Sequence, residues 1–497
     1  MLSSLQNKVI TFLTSKKDFP VLAAIAVGLY PLLYYYDLNF ALINSKSQFV
    51  FFVCSYIIIP LIAFCSLHFL SKKINFSAKA KAVLSTIFSI TFFLVFIVIT
   101  LFGFNFIKLL LALVIGLLLG FILYKHRNKV ILFQLILAFL ILPKLIPDIY
   151  REVFYSDAWM QQPDAIEQTV FKKKPNVYVI QPDGYVNFSE LNNRLYNFDN
   201  HIFEGFLKEN KFTFYPKYRS NYTSTLSSNS SLFGMKHHYY GNSTLGINPS
   251  HNSRNEIVED NPVLRTFKNN NYKTFLLLQT PYLLVNRPKI DFDFCNISLD
   301  EVSYIARGFS KDKDLSKDVK TAIQENKNTS NFFFIESMLP SHIITHDNPN
   351  NNIEKERELY LKRLQKANIW LTDLITYISN EDKDAIVLIV SDHGGYVGLS
   401  SMLQNEAKQT DRDIVYSMFS AALAIKWNDT TPEFDSELQS SVNLFRTLFS
   451  YLSEDDSLLK NLQPNESFTV IRRNNPKGVF KLIDEEGAVV YKALKNK

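Results

Sequence analysis

Cysteine is scarce: Cys54, Cys65 and Cys295 are all that 497 residues contain. The first two fall inside one long apolar run, which leaves Cys295 alone in the polar part of the chain. No intramolecular disulfide is available there, so that part must be held by a hydrophobic core. No cleavable leader is expected either, because Lys16 and Lys17 precede the first apolar run and no small-residue cleavage site follows it. Charge of one sign is not in large excess. The formal net charge of +6 sits largely in short loops between apolar runs and gives no footprint for nucleic acid. Internal repeats and low-complexity tracts are absent too, although "NPNNN" (348–352) reads as a flexible loop.

What the chain has instead is apolar length. Five stretches, near 19–36, 49–70, 82–104, 107–124 and 130–147, approach the roughly 20 residues a helix needs to cross a hydrocarbon core. Five such runs with short charged connectors predict a five-helix transmembrane domain over residues 1–147. Lys8, Lys16 and Lys17 precede the first run; Lys72, Lys73, Lys79 and Lys81 separate the second and third; Lys125, Arg127 and Lys129 separate the fourth and fifth. The other two connectors hold only Lys46. Positive charge collects on the cytoplasmic side, so the N-terminus is expected inside and the large C-terminal part outside.

Residues 148–175 read as a connector, with Tyr150, Phe154, Tyr155 and Trp159 suited to a membrane interface or to an ordinary linker helix. From residue 176 to 497, strands and helices alternate. "NVYVI" (176–180), "KTFLLL" (273–278), "NFFFIES" (331–337), "AIVLIVS" (385–391) and "ALAIKW" (422–427) are short apolar runs with little polar alternation, as expected of strands covered on both faces. A helix is predicted over 354–378 from the stripe Leu361, Leu364, Ala367, Leu371, Leu374 and Ile378, and another over 441–452. The pattern predicts a three-layer α/β domain with a mostly parallel sheet, closed after residue 465 by a β-hairpin.

In such sheets ligands collect beyond the carboxyl ends of the strands. Two predicted strands end there in acidic residues, each followed by glycine: "NVYVIQPDGY" delivers Asp183 and "AIVLIVSDHGG" delivers Asp392 and His393. One Asp-Gly is above all a turn signal. Two at one sheet edge, the second extended by a histidine, point to a divalent cation held by carboxylate oxygen and imidazole nitrogen. Between them lies "RSNYTSTLSSNSSLFGM" (219–235), dense in hydroxyls. It reads as the cap of a helix starting near residue 227 and as the source of a metal-activated nucleophile at a helix end that favours phosphate. "KHHYYG", with His237 and His238, fits either a cleft lining or a surface pair.

Taken in order over about residues 174–455, the "KPNVYVIQPDGY" opening, "SNYTSTLSSNSSL", "LPSH", "IVLIVSDHGG" and "SSVNLFRTLF" resemble the alkaline phosphatase and sulfatase superfamily. The resemblance is to its membrane-anchored branch of lipoteichoic acid synthases and phosphoglycerol or phosphoethanolamine transferases. It implies Asp183, Asp392 and His393 as metal ligands and Thr225 as both ligand and nucleophile, with Thr223 as the runner-up. His342, in "LPSH", would hold substrate or donate a proton to the leaving group. One divalent ion (Mn, Zn or Mg) is implied, because no histidine follows His393 to complete a second site, even though His342 and His346 are spaced suggestively. The formylglycine motif "CxPSR" of sulfate-ester hydrolases is absent.

The expected activity is transfer of a phospho-head-group from a membrane lipid to a glycan or lipid acceptor, through a phospho-threonine, at the outer face of a bacterial inner membrane. The alternatives are a phosphodiesterase or phosphatase, and an inactive scaffold. The scaffold reading draws on departures from the family pattern at Glu336, Ser337 and "HIITHD".

Overall fold

A computed structural model describes residues 2–244, 246–247, 251–305, 312–347, 352–434, 438–473 and 476–496; most of the "NPNNN" loop lies outside them. The chain divides into two units. The first is Met1–Tyr155 with Val285–Arg287 and Ser303–Arg307, and the second is the remainder, so the division falls inside the expected connector.

In the first unit a short helix, Leu2–Thr14, precedes four candidate membrane spans, long and apolar enough by length and composition. They are Pro20–Leu42, Lys46–Lys73, Ala78–Phe102 and Phe106–Val153. The last is 48 residues long and contains two of the five apolar runs, as helices Phe106–Leu123 and Arg127–Val153 on either side of a tight turn at Tyr124–His126. Side-chain caps mark the helix starts: Ser45 accepts from the Gln48 amide, Ser77 from Ala80 and Asn105 from Lys108. Gly116 and Gly120, one turn apart, allow close backbone approach. A Cβ on Gly116 would lie 2.3 Å from Thr91 Oγ1, and one on Gly120 would lie 2.4 Å from Ile87 Cγ1. At one end Arg127 Nη1 donates to Asp18 Oδ1 at 2.5 Å; at the other, Asn44 Nδ2 donates to Glu152 Oε2 at 3.1 Å.

The second unit is built on a seven-stranded sheet of order β2-β7-β6-β1-β5-β3-β4. Its strands are β1 Val177–Pro182, β2 Thr213–Phe214, β3 Lys273–Leu278, β4 Phe294–Cys295, β5 Asn331–Ser337, β6 Ile386–Val390 and β7 Leu423–Lys426. The pairs β6-β1, β1-β5, β5-β3 and β3-β4 are parallel, and β7 runs antiparallel to both its neighbours. Alternation within the buried strands divides the core. Tyr178, Ile180, Phe333, Ile335, Val387 and Ile389 face the helix Ile353–Glu381. Val177, Val179, Phe332, Phe334, Ile386 and Leu388 face the helices Thr225–Gly234 and Leu444–Ser453. Burial on both faces is what the unbroken apolar runs demand.

The chain ends in a three-stranded antiparallel sheet of β8 Ser467–Ile471, β9 Gly478–Ile483 and β10 Val489–Ala493, where a two-stranded hairpin was expected. The turn between the second and third strands is closed by the Gly487 amide on the Asp484 carbonyl, and β8 joins through β9.

Candidate metal centre

Strands β1 and β6 lie side by side in register from Val177↔Ile386 to Ile180↔Ile389, so the residues just past their carboxyl ends meet. That register brings together Asp183 with Asp392 and His393, which are remote in sequence. The turn after β1 needs glycine: Gly184 has φ +68°, and a Cβ there would lie 2.7 Å from the Ser341 carbonyl oxygen. Gly394 sits as tightly, its built Cβ 2.3 Å from the Ser417 carbonyl oxygen.

The two loops are tied to each other and to the long helix beneath. Asp392 Oδ1 accepts from the amides of Gly184 and His393, both at 3.0 Å. Ser391 Oγ accepts from the Tyr185 amide at 2.8 Å. From the helix Ile353–Glu381, Tyr360 donates its hydroxyl to the Gly184 carbonyl, and Arg363 donates to the carbonyls of Pro340 and His342. Thr225 enters from the opposite layer as the first residue of its helix, whose cap is Ser224, accepting from the Ser227 amide.

Four side chains converge. Thr225 Oγ1 is 3.3 Å from Asp183 Oδ1 and 3.4 Å from His393 Nε2. His393 Nε2 is 3.6 Å from Asp183 Oδ1 and 3.4 Å from Asp392 Oδ2. Ligands about 2.1 Å from a tetrahedral ion stand about 3.4 Å from one another. The observed separations are edges of that size. His393 Nδ1 donates to the Gly394 carbonyl at 2.8 Å, which leaves the Nε2 lone pair facing the carboxylates. Asp392 Oδ2 is buried with no hydrogen-bond donor. A buried acceptor without a donor is expensive, and a cation among these groups would relieve it.

Electrostatics point the same way. Burial, then the negative charge of Asp392, push Asp183 up to about 7. Burial pulls the His393 imidazole down, but Asp392 and Asp183 outweigh it and leave it raised. These are the signs of a site built around missing positive charge.

Three other hydroxyls of the 219–235 segment point elsewhere. Thr223 Oγ1 faces Thr469 Oγ1 on β8 at 3.4 Å, Ser228 Oγ donates to the Tyr222 carbonyl and Ser231 Oγ to the Ser228 carbonyl. His342 lies beside the centre, its ring 5.9 Å from that of His393, with Nδ1 donating to the Ile343 carbonyl. Burial, then His393, hold it down at about 4.

The structure places three residues whose setting the sequence left open. Trp159 packs at the end of the Thr225 helix, 2.8 Å from a Cβ built on Gly234 and edge-on to His238. His237 and His238 are not a surface pair. They hydrogen-bond the carbonyls of Pro464 and Ser227, and the His238 ring stacks on Tyr222.

Sequence reasoning also passed over Glu336 as a site residue. It ends β5 opposite Gln181 on the same sheet face as the Thr225 helix, where Gln181 exchanges hydrogen bonds with Asn229 of that helix. Both Glu336 carboxylate oxygens are buried without a hydrogen-bond partner, and burial, then Asp183 and Asp392, raise its pKa well above the ordinary range. The signal was present: "NFFFIES" is a third apolar strand ending in an acid at the same edge.

The fold is a parallel-cored α/β sheet with an acid-and-histidine cluster past adjacent strand ends and a hydroxyl at a helix start. A family model of the sulfatases matches residues 194–453, just over half the chain. The chain belongs to the sulfatase family. No curated protein matches it.

Among solved structures it is similar to the C-terminal periplasmic domain of phosphoethanolamine transferase EptC from Campylobacter jejuni, at 14% identity over 56% of this chain and 90% of that one, TM-score 0.38. It is also similar to the integral membrane lipooligosaccharide phosphoethanolamine transferase A from Neisseria meningitidis, at 12% identity over 87% of this chain and 95% of that one, TM-score 0.37. The lipoteichoic acid synthase LtaP from Listeria monocytogenes is similar at 12% identity, over 67% and 91% of the two chains, TM-score 0.37.

Proposed function

We propose that the protein is a membrane-anchored transferase that moves a phospho-head-group, of the phosphoglycerol or phosphoethanolamine kind, from a lipid to a glycan or lipid acceptor. The observation that carries this reading is the position of Thr225 Oγ1, between Asp183 Oδ1 at 3.3 Å and His393 Nε2 at 3.4 Å. Asp183, Asp392, His393 and Thr225 would hold one divalent ion, Mn, Zn or Mg. When bound, such an ion lowers the pKa of a coordinated hydroxyl and offsets charge developing on phosphoryl oxygens.

In the first step the Thr225 oxygen attacks phosphorus and the bond to the lipid alcohol breaks, releasing diacylglycerol and leaving a phospho-threonine. The Thr225 proton goes to the departing alkoxide by way of His342, whose Nδ1 is fixed on the Ile343 carbonyl and whose Nε2 is left to exchange it. In the second step an acceptor hydroxyl attacks phosphorus, its proton passes to His342 and on to the departing Thr225 oxygen, and the bond to Thr225 breaks, which restores the free hydroxyl and neutral His342. Neutral His342 suits the accepting role. A hydrolase differs only in using water as acceptor. Against an inactive scaffold stand the unpartnered Asp392 Oδ2 and the tetrahedral spacing of the donors.

The membrane part is assigned five crossings. The Asp18–Arg127 contact joins the start of the first span to the start of the last, and Asn44–Glu152 joins the end of the first to the end of the last. With the N-terminus in the cytoplasm, the catalytic unit lies outside an inner membrane, next to donor lipid. The test is transfer by the full chain in liposomes containing head-group-labelled phospholipid, with and without added acceptor. Label trapped on Thr225 and diacylglycerol release are expected. Full transfer by Thr225→Ala would reject the assignment, and label appearing only in water-soluble product would reassign the protein as a hydrolase.

A further inference from the structure

The first unit contains a cavity of about 520 Å³ that catalysis does not use. It is walled by the end of the N-terminal helix and the connector after it (Leu13–Lys16, Asp18), by the start of the Ala78–Phe102 helix and by residues 124–129. Six cationic side chains meet there: Lys16, Lys79, Lys81, Lys125, Arg127 and Lys129. Asp18 is the sole carboxylate in the wall, and Arg127 already engages it at 2.5 Å while donating to the Lys16 and Lys17 carbonyls. Among the described residues none of the five lysines has an ion-pair partner, so five uncompensated lysines line one space.

Topogenic lysines have no need to converge, because the positive-inside tendency counts charge per loop and is satisfied by lysines spread in solvent. Lys72 and Lys73, on the same side by the loop count, do not line the cavity. The remaining five come from three separate connectors. The long helices beginning at Ala78 and Arg127 also start at its wall, adding the positive ends of two backbone dipoles. The volume is that of a small-molecule site.

We propose that this cavity binds a phosphate-bearing anion, with the phosphates on Lys79, Lys81 and Lys125. The two sources of that chemistry are an anionic lipid head group, its glycerol against Leu13, Ala78 and Ala82, and a soluble phosphate compound. The inference rests on the chain spanning a bilayer and is independent of the catalytic reading.

The test uses the full chain in mixed micelles titrated with phosphatidic acid, which has no head-group alcohol to transfer, followed by native mass spectrometry. Lys79→Gln with Lys81→Gln should weaken binding about tenfold or more. Lys72→Gln with Lys73→Gln removes the same charge outside the cavity and should change it by less than about twofold. The pair Lys125→Gln and Lys129→Gln repeats the test should the first variant fail to fold, and Asp392→Asn should bind as the parent does. Equal losses from the cavity pair and the Lys72/Lys73 pair, or no loss from either cavity pair, would overturn the proposal. Inorganic pyrophosphate binding as tightly as the lipid, with the same lysine dependence, would uphold the phosphate chemistry and assign a soluble ligand; weak pyrophosphate binding would uphold it and assign the lipid.

Discussion

Replacing Asp392 with Asn separates the two jobs of that carboxylate. Oδ1 accepts from the Gly184 and His393 amides and is retained as the amide oxygen, so the joined loops keep their geometry. Oδ2, unpartnered and 3.4 Å from His393 Nε2, becomes an NH2 that cannot ligate a cation. Donor atoms of Asp183 and Asp392 lie within 4.8 Å of one another, where two like charges at an effective dielectric of 20 repel by about 3 kcal/mol. The expected outcome is therefore opposite in sign for the two states.

In metal-free protein Asp183 is raised to about 7 from an unfolded value near 3.8, so the native state binds its proton more tightly than the unfolded state does. Stability is then present below the unfolded pKa and is lost as pH rises through about 7. Asp392→Asn removes part of that loss and should stabilise metal-free protein by about 1–3 kcal/mol at pH 8, less at pH 6. In the presence of Mn or Zn the same substitution should abolish the metal-dependent rise in unfolding temperature and the bound metal. Thermal unfolding in chelator and in metal, at both pH values, with metal analysis, reads all four quantities. A metal-free variant less stable than its parent at pH 8, or one that retains the ion, would refute the reasoning.

Thr225→Ser should keep measurable transfer and a phospho-serine, whereas Thr225→Ala should lower turnover by about a thousandfold or more, as loss of a nucleophile does; mass spectrometry of the trapped peptide distinguishes them. Glu336→Gln removes a buried carboxyl that lacks any hydrogen-bond partner and whose ionisation is opposed by burial, Asp183 and Asp392; it should stabilise the metal-free protein by about 1–3 kcal/mol at pH 8, with the gain vanishing in acid below the unfolded carboxyl pKa; urea unfolding at two pH values checks it. His342→Gln should lower turnover with little change in metal content and remove the acid limb that His342 sets at about 4; a pH profile still bending there would exclude the role.

The sheet was legible because its strands carry their own evidence. A run such as "AIVLIVS" has no polar face and so demands cover on both sides. The ends of those strands were legible for the same reason, since an acid followed by glycine is conspicuous after an apolar run. Glu336 was harder to read, for it lacks the glycine that made Asp183 and Asp392 look like turns with a purpose. The choice among hydroxyls in "NYTSTLSS" was not settled by those residues alone. It depends on where the helix begins, and the Ser224 cap sets that two residues before the expected start near residue 227. The setting of Trp159 stayed open because an aromatic ring beside a membrane segment looks alike whether it meets lipid or a helix end; its fit over Gly234 is not legible in the sequence.

The adjacency of β1 and β6 in the sheet has a bearing on how the protein acquires its ion. The two halves of the pocket come from distant stretches of polypeptide, and β6 must dock before either half has its partner. A newly made, still unfolded chain offers no more than an isolated aspartate or an Asp-His pair. On the proposed reading, with one ion held on the outer side of a membrane, loading would wait for folding there, and the ion supply of that compartment would decide which metal is taken up.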